Sequence, residues 1–177
     1  MDSVNLDHEI FASGDEFLEK ISEQRPGCLV LDIRMPGLGG LELQEELIKR
    51  GNTLPIIFIT GHGDVPMAVE AMQKGAVDFI QKPFRDQELL DRIREALATD
   101  EERREEQQQH AEVVERLHRL TNREREVFDL VVTGKPNKVI AYELGVSQRT
   151  VEIHRARVME KMQARSLADL VKMHMTA

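Results

Sequence analysis

At 177 residues the chain is long enough for one large or two small domains with buried cores, and its 32% charged and 41% hydrophobic residues without a tryptophan suit a helix-rich protein. The single cysteine, Cys28, excludes an internal disulfide and points to a reducing compartment. No apolar run approaches the roughly 18 residues of a membrane span, and the first residues lack the basic and apolar regions of a signal peptide, so a cytoplasmic location is expected. The net charge of −8 is unevenly spread: residues 121–177 hold 10 Lys/Arg against 7 Asp/Glu, and residues 1–120 hold 14 against 25. That split suggests an acidic module joined to one that can approach a polyanion, although +3 over a small domain decides little by itself.

In chain order, HEIFA (8–12) reads as a strand, and Ser13 with Glu16 forms a capping box for a helix over 12–21. Three strand-length apolar runs follow: CLVLDI (28–33), PIIFIT (55–60) and AVDFIQ (76–81). Helical patterns fill the gaps. GGLELQEELIKRG (39–51) stops at Gly51, and VPMAVEAMQKG (65–75) has Pro near its start and Gly at its end. FRDQELLDRIREALA (84–98) carries Leu89, Leu90, Ile93 and Leu97 on one stripe. Alternation of strand and helix predicts a parallel sheet covered on both faces.

Residues 99–119, TDEERREEQQQHAEVVERLHR, lack Gly and Pro and read as a charged helical linker. Val113, Val114, Leu117 and Leu120 give its end a short apolar stripe, suited to a solvated helix or to pairing with a partner helix. Beyond it the pattern is helical throughout. Thr121 and Glu124 offer a capping box, PNKVIAYELG ends at Gly145, Ser147 caps SQRTVEIHRARVMEKM, and Ser166 caps a last helix. The tight turn at 144–147 between two helices makes a helix-turn-helix. The predicted domains are 1–98, the linker 99–119, and 120–177.

Why should the strand CLVLDI end on a carboxylate? In open α/β sheets, ligands bind outside the carboxyl ends of the strands. Asp32 lies there, before the Met35-Pro36-Gly37 turn; Thr60 closes the next strand, and Lys82 follows the third. A carboxylate can attack a phosphoryl donor, and an ammonium and a hydroxyl can then hold the phosphoryl oxygens. His62 and Asp64 look like a metal pair but fit a polar loop better.

These residues carry a resemblance. The D-x-x-M-P-x-x-x-G stretch from Asp32 to Gly40, the strand ending in Thr60, and Lys82-Pro83 resemble the receiver domain of two-component response regulators. Residues 61–84 are especially similar to the FixJ-type subgroup. The resemblance implies that Asp32 accepts a phosphoryl group from a sensor histidine kinase, with Thr60 as switch hydroxyl, Phe79 as switch aromatic and Lys82 as phosphate-binding lysine. It also implies a cis Lys82-Pro83 peptide, and Mg²⁺ held by Asp32 and the backbone carbonyl of Arg34. The family pattern starts with a central strand bearing two acidic Mg²⁺ ligands, then a helix, both ahead of the strand that HEIFA resembles. Only seven residues precede HEIFA here. The family places that first strand mid-sheet, so the expected fold is an N-terminally truncated, flavodoxin-like parallel sheet with two exposed edges and an apolar face. Mg²⁺ demands near-octahedral oxygen ligation, so its binding by this chain is doubtful, and Asp7 or Glu9 would sit on the wrong strand to substitute.

Residues 120–177 resemble the LuxR-type four-helix DNA-binding domain through T-x-R-E-x-E-V, N-K-x-I-A-x-E-L and S-x-x-T-V-x-x-H. On the helix of SQRTVEIHRARVMEKM, Val151, Val158 and Met162 form an inward stripe, while Arg149, Glu152, Ile153, Ala156 and Arg157 point largely the other way. Together with Thr150, these are the expected DNA contacts, with Lys138 and Arg155 directed at phosphates. His154 is expected to pack or hydrogen-bond rather than bind metal. The resulting expectation is a non-enzymatic transcriptional regulator: a kinase phosphorylates Asp32, the face formed by residues of about 65–80 changes, and a homodimer binds promoter DNA. RNA polymerase would be a further partner. Two rivals stand beside it: a phosphorylation-independent regulator whose shortened receiver serves only for dimerisation or partner binding, and a phosphohydrolase. The latter usually has a second acid two residues after the nucleophile, where this chain has Arg34.

Overall fold

In the computed structural model, residues 6–21, 25–61 and 65–177 are described. The chain divides into two compact units, Met1–Arg103 and Arg104–Ala177. In the first, helix α1 (Gly14–Lys20) precedes strand β1 (Leu29–Asp32), helix α2 (Gly40–Lys49), strand β2 (Ile56–Thr60), helix α3 (Val65–Gln73) and strand β3 (Asp78–Gln81). Helix α4 (Asp86–His118) starts in this unit and carries the chain past the division.

The three strands form one parallel sheet in the order β1-β2-β3, with Asp32 opposite Ile59 and Thr60 opposite Gln81. Nearly continuous apolar strands need cover on both faces, and both are covered. Leu31, Ile33, Ile56 and Phe58 face a core shared with Phe17, Leu43, Leu47 and Ala71 of helices α1 to α3. Ile57 and Ile80 face the other way, onto Ile93 and Ala96 of α4.

Ser13 caps α1 as expected, its hydroxyl accepting the Glu16 N–H at 3.2 Å, while the Glu16 carboxylate reaches back to the Ala12 N–H at 2.8 Å. Residues 8–12, expected as a strand, are not one. A strand exists by pairing, and among the described residues β1 is bonded to no strand other than β2. Between 8–12 and that open flank lies a cavity of about 790 Å³ lined by apolar groups such as Phe11, Phe17, Leu29, Leu31, Ile93 and Leu97.

In the second unit the last turns of α4 join helices α5 (Asn122–Val132), α6 (Asn137–Leu144), α7 (Gln148–Met162) and α8 (Leu167–Thr176). Phe128, Ile140, Val151, Val158, Met162 and Leu170 are wholly buried in its core. The apolar stripe at the end of the charged run is thereby explained: Val113 and Leu117 pack into this core. Neither solvent nor a partner helix is needed to cover them.

Candidate functional site

The strand ends assemble the first site. Asp32 ends β1 and Lys82 follows β3 directly, and the Lys82 ammonium sits 2.7 Å from Asp32 Oδ2. The other oxygen, Oδ1, accepts the backbone N–H of Arg34 at 3.0 Å. Both side chains stay accessible, 35% exposed for Asp32 and 49% for Lys82, so an incoming group can reach the pair. Two backbone features accompany this geometry. The Lys82 N–H donates to the Thr60 carbonyl at 2.7 Å, and the Lys82-Pro83 peptide is cis, as expected.

Gly40, in the first turn of α2, lies so close to the strand end that a Cβ there would sit 2.5 Å from the Asp32 carbonyl oxygen. Only glycine permits that approach, which brings the helix start up to the Asp32 loop. Thr60 is buried at the end of β2. Phe79 is half-buried in β3 opposite Phe58, packed against the core on the α1 to α3 side. His62 and Asp64 lie outside the described residues.

Receiver domains generally bind Mg²⁺ for phosphorylation. The donors among the described residues do not fit that ion. Asp32 brings a carboxylate to this edge, but an ammonium already occupies one of its oxygens. Glu9 is held by Arg25 in a bidentate pair at 2.7 and 2.8 Å. Among the described residues no group of three or more His, Cys, Asp or Glu is placed to hold a metal. Near-octahedral oxygen ligation is not met by one carboxylate and one carbonyl.

The second site is the outer face of α7. Gly145, at φ 66°, ends α6 in a left-handed turn, and the Ser147 hydroxyl then accepts the Thr150 N–H at 3.1 Å to start α7. Val151, Val158 and Met162 point inward as expected. Arg149, Glu152, Ile153, Ala156 and Arg157 are exposed, as is Lys138 on α6. Ile153 leaves 47% of its surface in solvent.

Three of the expected contacts have partners within the fold, Glu152 among them, which accepts from Gln148 Nε2 one turn away at 3.5 Å. The Thr150 hydroxyl lies 2.8 Å from that of Ser147, and Arg155, half-buried, donates to Asn137 Oδ1 at 3.1 Å. Arg155 thus ties α7 to the start of α6, using one of its five N–H groups. Sequence spacing gave no sign of this tie because Asn137 lies 18 positions away.

A further polar tie went unread. Lys161 of α7 reaches Glu124 at 2.5 Å and the Arg119 carbonyl at 3.1 Å. Glu124 is buried, which works against its charge. The Lys161 ammonium and the Thr121 N–H and hydroxyl outweigh that cost and hold the carboxyl below its ordinary value of 4.5. Its local role, the capping box with Thr121, was legible; its long-range partner was not.

An accessible strand-end Asp–Lys pair on a parallel α/β unit, joined to a helix-turn-helix with a polar outer face, defines a signal-receiving DNA-binding regulator. The comparisons agree: residues 2–94 match the response regulator receiver domain, and residues 118–174 match the luxR family of bacterial regulatory proteins. The chain belongs to the two-component response regulators that carry a LuxR-type DNA-binding domain, a non-enzymatic class of transcriptional regulators.

Among its relatives, nodulation protein W of Bradyrhizobium diazoefficiens is 51% identical over 98% of this chain and 77% of that protein. Response regulator protein TodT of Pseudomonas putida is 45% identical over 96% of this chain and 75% of its own length. Of solved structures, the response regulator StyR matches with a TM-score of 0.91 at 43% identity, covering 99% of this chain and 89% of that one. Full-length FixJ from B. japonicum matches at 42% identity with a TM-score of 0.59, covering 99% and 86%. No described helix is long and apolar enough to cross a membrane.

Proposed function

We propose that this response regulator is switched by phosphorylation of Asp32 and binds promoter DNA as a dimer in the cytoplasm. The observation that carries the reading is the 2.7 Å contact between Lys82 and Asp32, two residues 50 positions apart at the ends of different strands. An Asp32 oxygen attacks the phosphorus of a sensor kinase's phosphohistidine. A P–O bond forms, the P–N bond breaks, and the imidazole leaves. Lys82, released from its carboxylate partner, and Thr60 then hold the phosphoryl oxygens, and Phe79 with residues of about 65–80 responds as a bistable face. The charged run at 99–119 links the halves. Two copies of α7 then read neighbouring half-sites, with Arg149 and Arg157 directed at guanine or phosphate, Glu152 at a cytosine amino group, Ile153 and Ala156 at apolar base edges, and Lys138, Thr150 and the free N–H groups of Arg155 at phosphates. RNA polymerase is a further partner on this reading.

The misfit to Mg²⁺ favours a second reading, in which the receiver never takes a phosphoryl group and serves as a dimerisation or partner-binding module. Incubating the folded chain with acetyl phosphate, with and without Mg²⁺, separates the two by intact mass. One added phosphoryl group, lost in Asp32→Asn, supports the first; an unmodified folded chain supports the second. On either reading, promoter fragments are bound with an affinity that falls steeply with salt, and Arg149→Ala weakens binding by about 1–3 kcal/mol. Salt-insensitive binding would refute the proposed DNA surface.

A further inference from the structure

Asp100 stands out in the charged run of helix α4. Thr99, Glu101 and Glu102 around it are exposed, yet Asp100 is only 3% exposed. A carboxylate leaves water at a considerable cost unless it is paired and hydrogen-bonded, and this one is both. Its Oδ2 accepts the Gly27 N–H at 3.2 Å, and its Oδ1 accepts from Arg103 Nη2 at 2.5 Å. Arg103 in turn donates through Nη1 to the Thr53 carbonyl. Gly27 lies just before β1 and Thr53 just before β2, so the pair grips the starts of the two strands whose far ends carry Asp32 and Thr60. The first compact unit ends at Arg103 itself.

We propose that the buried Asp100 and the partly exposed Arg103 form a latch that fastens α4 to the receiver at the point where the helix passes out of it, and that this latch transmits the state of Asp32 to the DNA-binding half. The second clause rests on the phosphorylation reading above; the first does not. Without the latch, residues 99–103 would be a solvated helical run with only its own helical bonds and the local Thr99 hydroxyl bond to the Glu95 carbonyl to keep it in place. With it, the start of the helix's onward course is fixed by a charge pair and two loop backbones. Asp100 and Arg103 act as positioning residues, because neither touches the phosphoryl site.

A built-in reporter lies beside the latch. Burial and then the Asp100 charge push the Cys28 thiol up to about 11, and Cys28 is the chain's single cysteine. The test uses the full chain with Asp100→Asn, which keeps the shape and an acceptor for Gly27, and Arg103→Met, which keeps the apolar stem. Hydrogen exchange over 97–106 should quicken by about tenfold or more in both variants, while exchange in β1 and β2 stays as in wild type. The pH midpoint of Cys28 alkylation should fall in Asp100→Asn. Arg103→Lys, which restores one donor, should recover part of the protection.

Unchanged exchange over 97–106 overturns the latch, and so does an equal loss throughout the sheet, because the pair would then serve the receiver's fold at large. The transmitting role is read from promoter affinity with and without acetyl phosphate. It predicts that the ratio collapses towards one in both variants, and an undiminished ratio overturns it. If the wild type itself shows no response to acetyl phosphate, the phosphorylation reading and the transmitting role fall together, while exchange and alkylation still decide the latch.

Discussion

The two units solve the problem of placing functional groups in opposite ways. In the receiver unit, Asp32 and Lys82 meet only because three strands stack in register, so the site depends on contacts 50 residues apart. In the DNA-binding unit, the outward groups other than Lys138 sit on one helix whose start is fixed by Gly145, Ser147 and Thr150, a few residues away. The cores differ in the same sense. Among the described residues the sheet has an open flank along β1 beside a cavity of about 790 Å³, whereas α5 to α8 close around a core whose central side chains are wholly buried. A site built by long-range pairing on an open-flanked sheet should be the more easily lost of the two. A site built on one capped helix should survive anything that leaves its bundle intact.

Core truncation breaks this comparison most severely. Phe58 and Phe128 are both fully buried, one in each unit, and replacing either with alanine should cost about 3–5 kcal/mol. The consequences should be separate. Phe58→Ala should abolish acetyl phosphate chemistry and lower the receiver's melting transition while DNA is still bound; Phe128→Ala should do the reverse. Thermal unfolding followed by circular dichroism, alongside a DNA-binding titration, reads both. If each variant loses both properties together, the units are one cooperative body and the comparison fails.

The same contrast explains what the sequence could show. Caps and turns are local chemistry, so Ser13, Thr121, Ser147, Ser166 and Gly145 were all legible as helix boundaries, and each acts as one. The inward stripe of α7 was legible from its period alone. The convergence of Asp32 and Lys82 was legible because parallel strands must bring their carboxyl ends to one edge. Long-range polar partners were not, because no periodicity links Asp100 to Gly27, Lys161 to Glu124 or Arg155 to Asn137. The strand expected at 8–12 failed for a related reason: its β-type pattern was real, but a strand also needs a neighbour. The charged run misled most at Asp100, a buried carboxylate that nothing in its solvated-looking neighbourhood signals, whereas its apolar stripe at Val113 and Leu117 was legible and only what covers it was not.

A smaller effect should come from the tie that fixes the far end of α7. Glu124→Ala removes the partner of Lys161, whose side chain is 34% exposed, and half of a capping box, at an expected cost of about 2 kcal/mol. The pH dependence gives the sign. Because the folded carboxyl is held below its ordinary value of 4.5, the unfolded chain takes up protons first as the pH drops. The Glu124 contribution is therefore complete above about pH 4.5 and fades below it. The gap in melting temperature between wild type and Glu124→Ala should be widest near pH 7 and shrink on acidification. A gap that stays constant or widens would mean that the charge of Glu124 is not what holds α7.

The smallest effect bears on the local end of the comparison. Ser147→Ala removes the hydroxyl that accepts the Thr150 N–H and contacts the Thr150 side chain, and should cost about 1 kcal/mol of stability in the DNA-binding unit. Its effect on DNA binding should exceed what that small stability loss predicts, because the first turn of α7 carries Arg149 and Thr150, and fraying displaces them directly. Ser147→Asp, which keeps a capping oxygen, should restore the melting temperature, but its negative charge faces the phosphates and should leave binding weak. Melting and salt-dependent DNA titration on the two variants therefore separate the helix start as a structural cap from its place in the binding surface. If Ser147→Asp bound DNA as wild type does, the start of α7 would lie away from the nucleic acid, and the contacts would have to shift towards Ile153, Ala156 and Arg157.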